Sequence, residues 1–532
     1  MNKKRNVLIG GAWPYANSTL HIGHLACLIP GDTLARYHRL KGDNVVYVSG
    51  SDCHGTPITM KARKENISPS SICDGCHKGF VETFDLLNFS YNLYTQTTTE
   101  FHKSVVKDLL KKIYNNGYIY EKEDDVLYCE HCGKIVEDRE ILYTCKHCGK
   151  TAKGDGCDCG EMPTFDDLKS GKCATCGHEL VVRKDKNLYF KLSAFQNKLE
   201  EYVKSNENRW RLNAVNETKK YLKMGLIDRA ITRNLDWGVE VPFEGYENKR
   251  IYVWFEAVLG YVSACMKYCL DNNLNFNDYL KEGSCDLSYM AHGKDNITFH
   301  TIIFPALLMA INENYKLPTD IVSSEYLTLN GDKISKSSGN YEETKDIVER
   351  GSSDTLRFFM LGYGPEKKDS DFSNKLYATI HNSEIVNKLG NFVNRTLKFK
   401  GLTEIKKDVM DEEVKNTIIR YYDEIGVQIE KYEFKEACKL ILSLLEYANK
   451  YYDESKPWVL AKENLEEFNR VMYTCSNVIY NLANILNPFM PETSQKIAKL
   501  FDFDTLAWNY IETNKDLKIK EFEPLFVRMD VK

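Results

Sequence analysis

The chain has 532 residues, 71 Lys and Arg against 76 Asp and Glu for a net charge of −5, with 43% hydrophobic and 28% charged residues. This is ordinary globular usage, so a wholly disordered or fibrous chain is excluded, and the length asks for about three structural units rather than one core. No overall basic charge advertises a nucleic-acid partner, so any such contact needs a local patch. No apolar run reaches the ~18 residues of a membrane span; the stretch 301–311 is broken by Pro305. The start MNKKRNVLIGGAWPY has too short an apolar stretch for a signal peptide. A cytoplasmic location is therefore expected, and seventeen cysteines in a reducing compartment point to metal or redox chemistry rather than disulfides.

In chain order, residues 6–12 (NVLIGGA) predict a strand followed by the turn Trp13-Pro14-Tyr15-Ala16-Asn17. A helix is expected to start near Ser18 or Thr19, both competent caps. Residues 44–49 (NVVYVS) predict a second strand, ending at Asp52. Alternating strands and helices imply a mostly parallel sheet, with ligands beyond the carboxyl ends of its strands. Residues 118–226 break this pattern with clustered Cys, Gly and Lys, too irregular for a large apolar core, and read as an insertion. Strands resume at 250–254, 287–291 and 320–323. From about residue 382 the chain reads as helical, and Phe434, Cys438, Ile441, Leu445 and Ala448 recur at helical spacing as a core-facing stripe.

Four close cysteine pairs fall within residues 129–176: Cys129/Cys132, Cys145/Cys148, Cys157/Cys159 and Cys173/Cys176. Two C-x-x-C turns complete a tetrahedral Zn²⁺ site, and four thiolates leave no open position, so such zinc is structural. A nested arrangement places Cys145, Cys148, Cys157 and Cys159 on one ion and Cys129, Cys132, Cys173 and Cys176 on another. The third pair is one residue short of a usual knuckle, so one ion or two per chain stays open. Cys73-Asp-Gly-Cys76-His77 matches the c-haem attachment pattern, but no export signal accompanies it and it reads as incidental thiols on a helix. Cys53 and His54, beside Asp52, are likewise not read as metal ligands.

Two further motifs carry chemistry. His21-Ile22-Gly23-His24 places two imidazoles on one face at a helix N-terminus, where free amides and the dipole favour anions and Gly23 lets a nucleotide approach the backbone. Lys333-Ile334-Ser335-Lys336-Ser337 sets two lysines in a Ser/Gly-rich loop able to close over a polyphosphate. Either motif alone supports a bland reading as core histidines or a solvated basic loop; together, each after a sheet strand, they do not.

The HIGH and KISKS pair resembles the signature of class I aminoacyl-tRNA synthetases. AWPYANSTLHIGH, GSDCHGTP (50–57), the knuckles, DWGVEVP (236–242), VWFEAVLGY (253–261), GKDNITFH (293–300), LGNFVNRT (389–396) and SKPW (455–458) narrow the resemblance to the methionyl-tRNA synthetase family over nearly the whole chain. The resemblance implies a Rossmann-type parallel-sheet α/β catalytic domain with a zinc-knuckle insertion, followed by an all-α helical-bundle anticodon-binding domain. The divisions expected are 1–117 and 227–325 for the catalytic halves, 118–226 for the insertion, 326–381 for the KISKS and stem-contact region and 382–532 for the anticodon unit. It implies L-methionine, ATP with Mg²⁺, and tRNA(Met) as partners. His21, His24, Lys333 and Lys336 are the catalytic set, and Gly23, Gly293, Asp295 and Ser335 join them in binding ATP, with Gly293 and Asp295 at the ribose. Ala12, Trp13, Tyr15, Asp52, Trp254, Ala257, Tyr261, Ile297 and His300 are expected around methionine, Asp52 on its ammonium and the aromatic rings on its thioether. Arg233 resembles an arginine supporting the site. Val258 and Asn296 depart from residues frequent in the family, Pro and Ile. Asn391, Arg395, Pro457 and Trp458 match anticodon readers. Relatives that activate isoleucine, valine or leucine carry a large editing insertion; here the knuckles fill that place. The chain stops near Phe526 without an appended dimerisation domain, which implies a monomer.

Rival readings are another nucleotidyltransferase using the same H-x-G-H turn, and a non-catalytic zinc-knuckle RNA-binding protein. The first leaves Trp458, Arg395 and the knuckles unexplained; the second predicts no ATP–pyrophosphate exchange at all.

Overall fold

A computed structural model describes residues 4–157, 159–336, 339–502 and 506–530. Ser337 and Ser338 of the second motif lie outside the described residues. The central sheet has five parallel strands: β1 (Asn6–Gly11), β2 (Asn44–Ser51), β3 (Leu93–Gln96), β4 (Leu287–Gly293) and β5 (Asp320–Ser324). Their order is β5-β4-β1-β2-β3, with Val7 of β1 opposite Val45 on one side and Leu287 on the other. Val7 and Ile9 are wholly buried and Leu8 nearly so, the continuous apolar run of a strand covered on both faces. Strands are added in one direction through β3 and in the other from β4, so the crevice between the carboxyl ends of β1 and β4 is the topological switch point.

The first helix, α1 (Ile22–Leu40), starts three to four residues later than Ser18 or Thr19 suggests, and its cap is His21. The reason is tertiary. Asp52 accepts from Ala16 N–H (2.7 Å) and donates its own amide to Pro14 (2.8 Å), tying residues 14–16 to the end of β2 as extended chain. The strand expected over 250–254 is only Arg250–Ile251; Val253–Val258 is helical, so Trp254 sits on a helix. A short apolar run does not distinguish the two by periodicity.

The insertion is built on a long antiparallel pairing of Ile119–Cys129 with Val181–Phe190. Its tip holds the cysteine pairs over a small core of Leu127, Val136, Ile141 and Leu180. From Leu188 to Leu226 the chain departs from the irregular reading: Leu188, Phe190, Leu199, Tyr202 and Leu222 join one core with Leu8, Val46 and Val48 of the sheet. Two amphipathic helices, Gln196–Asn206 and Leu212–Lys223, supply that surface.

The C-terminal region is a bundle of helices Glu412–Glu430, Phe434–Ser455, Leu465–Leu486 and Pro491–Leu500. The stripe Phe434, Cys438, Ile441, Leu445 and Ala448 is buried throughout. The bundle shares a core with α1: Tyr37 meets Trp508 edge-on at 4.9 Å. Arg357, fully buried, pairs with Asp32 of α1 (2.7 Å) and donates to the carbonyls of Pro488 and Phe489 (3.1 and 3.2 Å). Burial alone would raise the Asp32 carboxyl, but Arg36 and Arg357 outweigh it and hold it well below the usual range. Among the described residues, no helix is long and apolar enough to cross a membrane.

Candidate active site

At the start of α1, His21 Nδ1 accepts from Gly23 N–H (3.1 Å) and His24 Nδ1 accepts from His21 N–H (3.2 Å), a reciprocal cap made by two imidazoles. Burial pushes His21 down to about 4, helped by the Lys336 ammonium, and His24 down to about 3, helped by His21. Both rings are therefore neutral at pH 7. With each Nδ1 committed as an acceptor, each Nε2 carries the proton and is a donor. The rings lie 3.9 Å apart, so two N–H donors stand together where the helix dipole is positive.

The lysine motif meets this helix. Strands Leu327–Leu329 and Asp332–Lys333 form a hairpin, and just after it Ser335 N–H donates to Asn340 O (2.9 Å). Ile334 is buried, and its Cδ1 lies 3.5 Å from where a Cβ on Gly23 would stand. Lys336 lies 4.3 Å over the Tyr341 ring and 3.2 Å from Glu343, while the Tyr341 hydroxyl bonds Thr19 Oγ1 at 3.0 Å. Lys333 is exposed beside them. The structure thus brings His21, Gly23, His24, Ser335 and Lys336 to one place.

Beyond β1 the Trp13 ring fills a slot that exists because two neighbours lack side chains: a Cβ on Gly50 or Gly260 would lie 2.3 and 2.6 Å from it. Tyr261 meets Trp13 edge-on at 6.3 Å. Its hydroxyl donates to His300 Nε2 (2.8 Å), since His300 Nδ1–H is given to Asn296 O (2.8 Å). Ala257 and Ile297 are buried nearby in sequence; Ala12 pairs with Ala291 (2.9 Å) across the switch point, and Tyr15 donates to His54 O (2.6 Å). Asp52 is 7% exposed. Burial, then the charge of Glu256, pushes its carboxyl well above the usual range. Trp254 stands differently: it packs on Phe299 (4.7 Å) and Tyr252 (5.2 Å), is half exposed, and borders a cavity of about 230 Å³ with Tyr221, Arg229 and Ile302. Arg233 lies 4.0 Å over the Tyr252 ring and 3.5 Å from Glu137 of the insertion.

Sequence reasoning missed the buried network below this slot. Glu256 is wholly buried and accepts from His54 Nδ1 (2.6 Å) and His102 Nε2 (2.9 Å). Burial alone would raise its carboxyl, yet these rings hold it at about 2. A glutamate inside the apolar run VWFEAVLGY was the available signal, because a buried charge must be paired. At the end of β4, Gly293 lies flush against α1, a Cβ there standing 3.5 Å from Cys27 Sγ. Asp295 follows, exposed, at the switch-point crevice.

The family described as tRNA synthetases class I (M) matches residues 7–397, and that described as the anticodon binding domain of methionyl tRNA ligase matches residues 402–523. The chain belongs to the class I tRNA synthetases of the methionyl type. A methionine–tRNA ligase of Alkaliphilus oremlandii is 43% identical over 531 residues, 99% of this chain and 98% of that one. One of Streptococcus pneumoniae is 43% identical over 533 residues, 99% and 97%. The structure of Mycobacterium tuberculosis methionyl-tRNA synthetase in complex with methionyl-adenylate superposes with a TM-score of 0.80 at 24% identity, over 98% of this chain and 100% of that one, and so shares its fold.

In the helical part of this synthetase, Arg395 lies 4.0 Å over the Tyr452 ring and pairs with Asp453. Trp458 is 47% exposed and tilts against the same tyrosine at 6.3 Å. Pro457 is buried in the first turn of the helix Pro457–Glu463, and Asn391 is exposed. Arg395 and Trp458 thus flank one tyrosine, leaving an indole open to solvent.

The cysteines form two sets of four, Cys129/Cys132/Cys173/Cys176 and Cys145/Cys148/Cys157/Cys159. Their cross-pair sulfurs stand 3.4 Å (Cys129–Cys176), 3.8 Å (Cys132–Cys173), 3.7 Å (Cys145–Cys159) and 3.5 Å (Cys148–Cys157) apart. A tetrahedral ion with 2.3 Å bonds to sulfur sets its ligands about 3.8 Å apart, so both sets fit one. The short third pair fits as well, its turn closing through Gly160 N–H on Cys157 O (2.8 Å). His131 and His178, stacked at 4.2 Å beside Cys176, had not been singled out. Cys73 and Cys76 lie on the helix Pro69–Leu86, where Cys73 donates to Cys53 O (3.2 Å).

Proposed function

We propose that this synthetase activates L-methionine with ATP and transfers it to the 3′-terminal adenosine of tRNA(Met). The observation that carries the reading is the meeting of the histidine cap and the lysine hairpin at the switch point, together with membership of the methionyl family.

On this reading Asp52 holds the ammonium of methionine by a charge-assisted bond. Trp13, Tyr261, His300, Ile297, Ala12, Tyr15 and Ala257 wall its side chain, and Trp254 closes one edge. A carboxylate oxygen of methionine attacks the α-phosphorus in line, forming the new O–P bond as the α–β anhydride bond breaks and pyrophosphate leaves. His21 and His24 donate their Nε2 protons as hydrogen bonds to the crowded phosphate oxygens, and Lys333 and Lys336 take the charge growing on the leaving phosphates. Gly23 and Gly293 leave room for the nucleotide, Ser335 binds in the arm, and Asp295 accepts from the ribose hydroxyls. Magnesium, arriving with ATP, supplies further neutralisation of the phosphates. In the second step a ribose hydroxyl of the tRNA attacks the mixed anhydride and AMP leaves. Asn391, Arg395 and Trp458 take the anticodon, with an unstacked base on the indole, while the buried Pro457 starts the helix that presents it. Each four-cysteine set holds one structural Zn²⁺, which closes the tip of the insertion. The division of labour follows the units 1–117 with 227–325, 118–226 (of which 188–226 packs on the sheet of the first unit), 326–381 and 382–532.

The deciding experiment is ATP–pyrophosphate exchange with each of the twenty amino acids. Exchange that depends on methionine is expected; exchange indifferent to methionine, or none, refutes the reading.

A further inference from the structure

We propose that Tyr326 is a positioning residue for the nucleotide, its hydroxyl holding the Asp295 carboxylate in place for the ribose and tying it to the root of the lysine hairpin. This rests on the reading that Asp295 receives the ATP ribose.

The Tyr326 hydroxyl donates to Asp295 Oδ1. Asp295 is exposed, so without a partner its short side chain samples several rotamers, and binding a diol must first freeze one. A hydrogen bond from a fixed donor removes that cost. It also leaves acceptor capacity, because an ionised carboxylate offers about four lone-pair sites and the phenol uses one. The phenol is fixed from several sides. Lys294 Nζ lies 3.7 Å over its ring and is held by Glu325 (2.8 Å) and Asp369 (2.9 Å). The Tyr326 amide donates to Asp369 Oδ1 (2.9 Å), and its carbonyl accepts from Ser370 N–H (3.0 Å). Burial, then Asp295, pushes its hydroxyl up to about 12, so it stays a donor at neutral pH.

Tyr326 immediately precedes Leu327–Leu329, the strand whose partner carries Lys333. One side chain therefore joins the turn after β4 to the arm that bears the phosphate-facing lysines. A ribose seated on Asp295 and lysines closed on the phosphates are held in register by this contact.

The test is Tyr326→Phe in methionine-dependent exchange. It keeps the ring and its cation partner, at a side chain 47% exposed, so folding is retained, and the thermal midpoint confirms it. Losing one hydrogen bond to a charged group is expected to raise KM for ATP about tenfold, with KM for methionine within twofold. Asp295→Asn is expected to raise KM for ATP by at least as much, and the double variant to be no worse than Asp295→Asn alone. With 2′-deoxy-ATP or 3′-deoxy-ATP the penalty of Tyr326→Phe shrinks for at least one analogue. An unchanged KM for ATP in Tyr326→Phe, or an equal penalty on ATP and both analogues, overturns the proposal while leaving the ribose reading intact if Asp295→Asn is impaired. An unimpaired Asp295→Asn overturns the ribose reading itself and the proposal with it.

Discussion

The two nitrogens of His24 do different work, and a pair of substitutions separates them. Nδ1 accepts the His21 amide at 3.2 Å and closes the cap; Nε2, on the function proposed above, donates to the phosphate. Asparagine places its amide oxygen near the Nδ1 position and has nothing at Nε2, whereas glutamine places its amide nitrogen near Nε2 and loses the cap acceptor. His24→Asn is therefore expected to keep stability within ~0.5 kcal/mol while the exchange rate falls about 100- to 1,000-fold, the usual effect of removing one preorganised donor from a developing charge. His24→Gln is expected to lose ~1 kcal/mol of stability, the worth of a helix cap, and to keep most of the rate. Urea midpoints read the first quantity and the kcat of methionine-dependent exchange the second. If the two variants lose rate equally, or if His24→Asn retains it, the assignment of Nε2 as the catalytic donor is wrong.

Four other outcomes follow from the structure. His21 and His24 sit at about 4 and about 3 when folded, against about 6.5 when unfolded. Below pH 6.5 the unfolded chain thus binds protons the folded one does not, and stability falls with falling pH by roughly 2 kcal/mol per histidine at pH 5. The stability gap between the wild type and His24→Asn should accordingly shift toward the variant by about that amount from pH 7.5 to pH 5; a constant gap contradicts the buried neutral ring. Metal analysis should find two zinc ions per chain and one in Cys145→Ser, whereas well under one ion in the wild type rejects the site. Trp458→Ala should leave exchange intact and raise KM for tRNA about 5- to 150-fold, since a stacked base is worth ~1–3 kcal/mol; equal loss of both steps refutes separate sites. Arg357→Met should cost about 3–5 kcal/mol by stripping a buried partner from Asp32, and should cost less in an Asp32→Asn background; a urea midpoint unchanged by Arg357→Met contradicts that account.

Much of this was legible in the chain because it is local. Burial on both faces made β1 a near-continuous apolar run, helical spacing marked the stripe from Phe434 to Ala448, and paired cysteines announced knuckles through spacing alone. The nested grouping of the cysteines was also readable, since the inner pairs are nearest in sequence and the outer pairs close around them. Elsewhere local signals misled. Thr19 is a good cap by composition, yet Asp52 claims the preceding backbone and leaves the capping to His21. Arg250–Trp254 is apolar enough for a strand, but its end turns helical. The stretch from Leu188 to Leu226 looked like more of the irregular insertion, and its helices only make sense once the sheet they cover is known.

By itself, the amino-acid order determined which chemistry the molecule carries: imidazoles beside a glycine, lysines in a small-residue loop, thiols in pairs, an indole after a proline. Tertiary structure alone decided how those groups behave. Burial and a reciprocal cap choose the neutral tautomers of His21 and His24, Glu256 and its histidines set the field around Asp52, and Tyr326 reaches Asp295 from another segment. These properties depend on distance and solvent exclusion between residues far apart in the chain, and electrostatics in a low-dielectric site follows spatial neighbours rather than sequence neighbours.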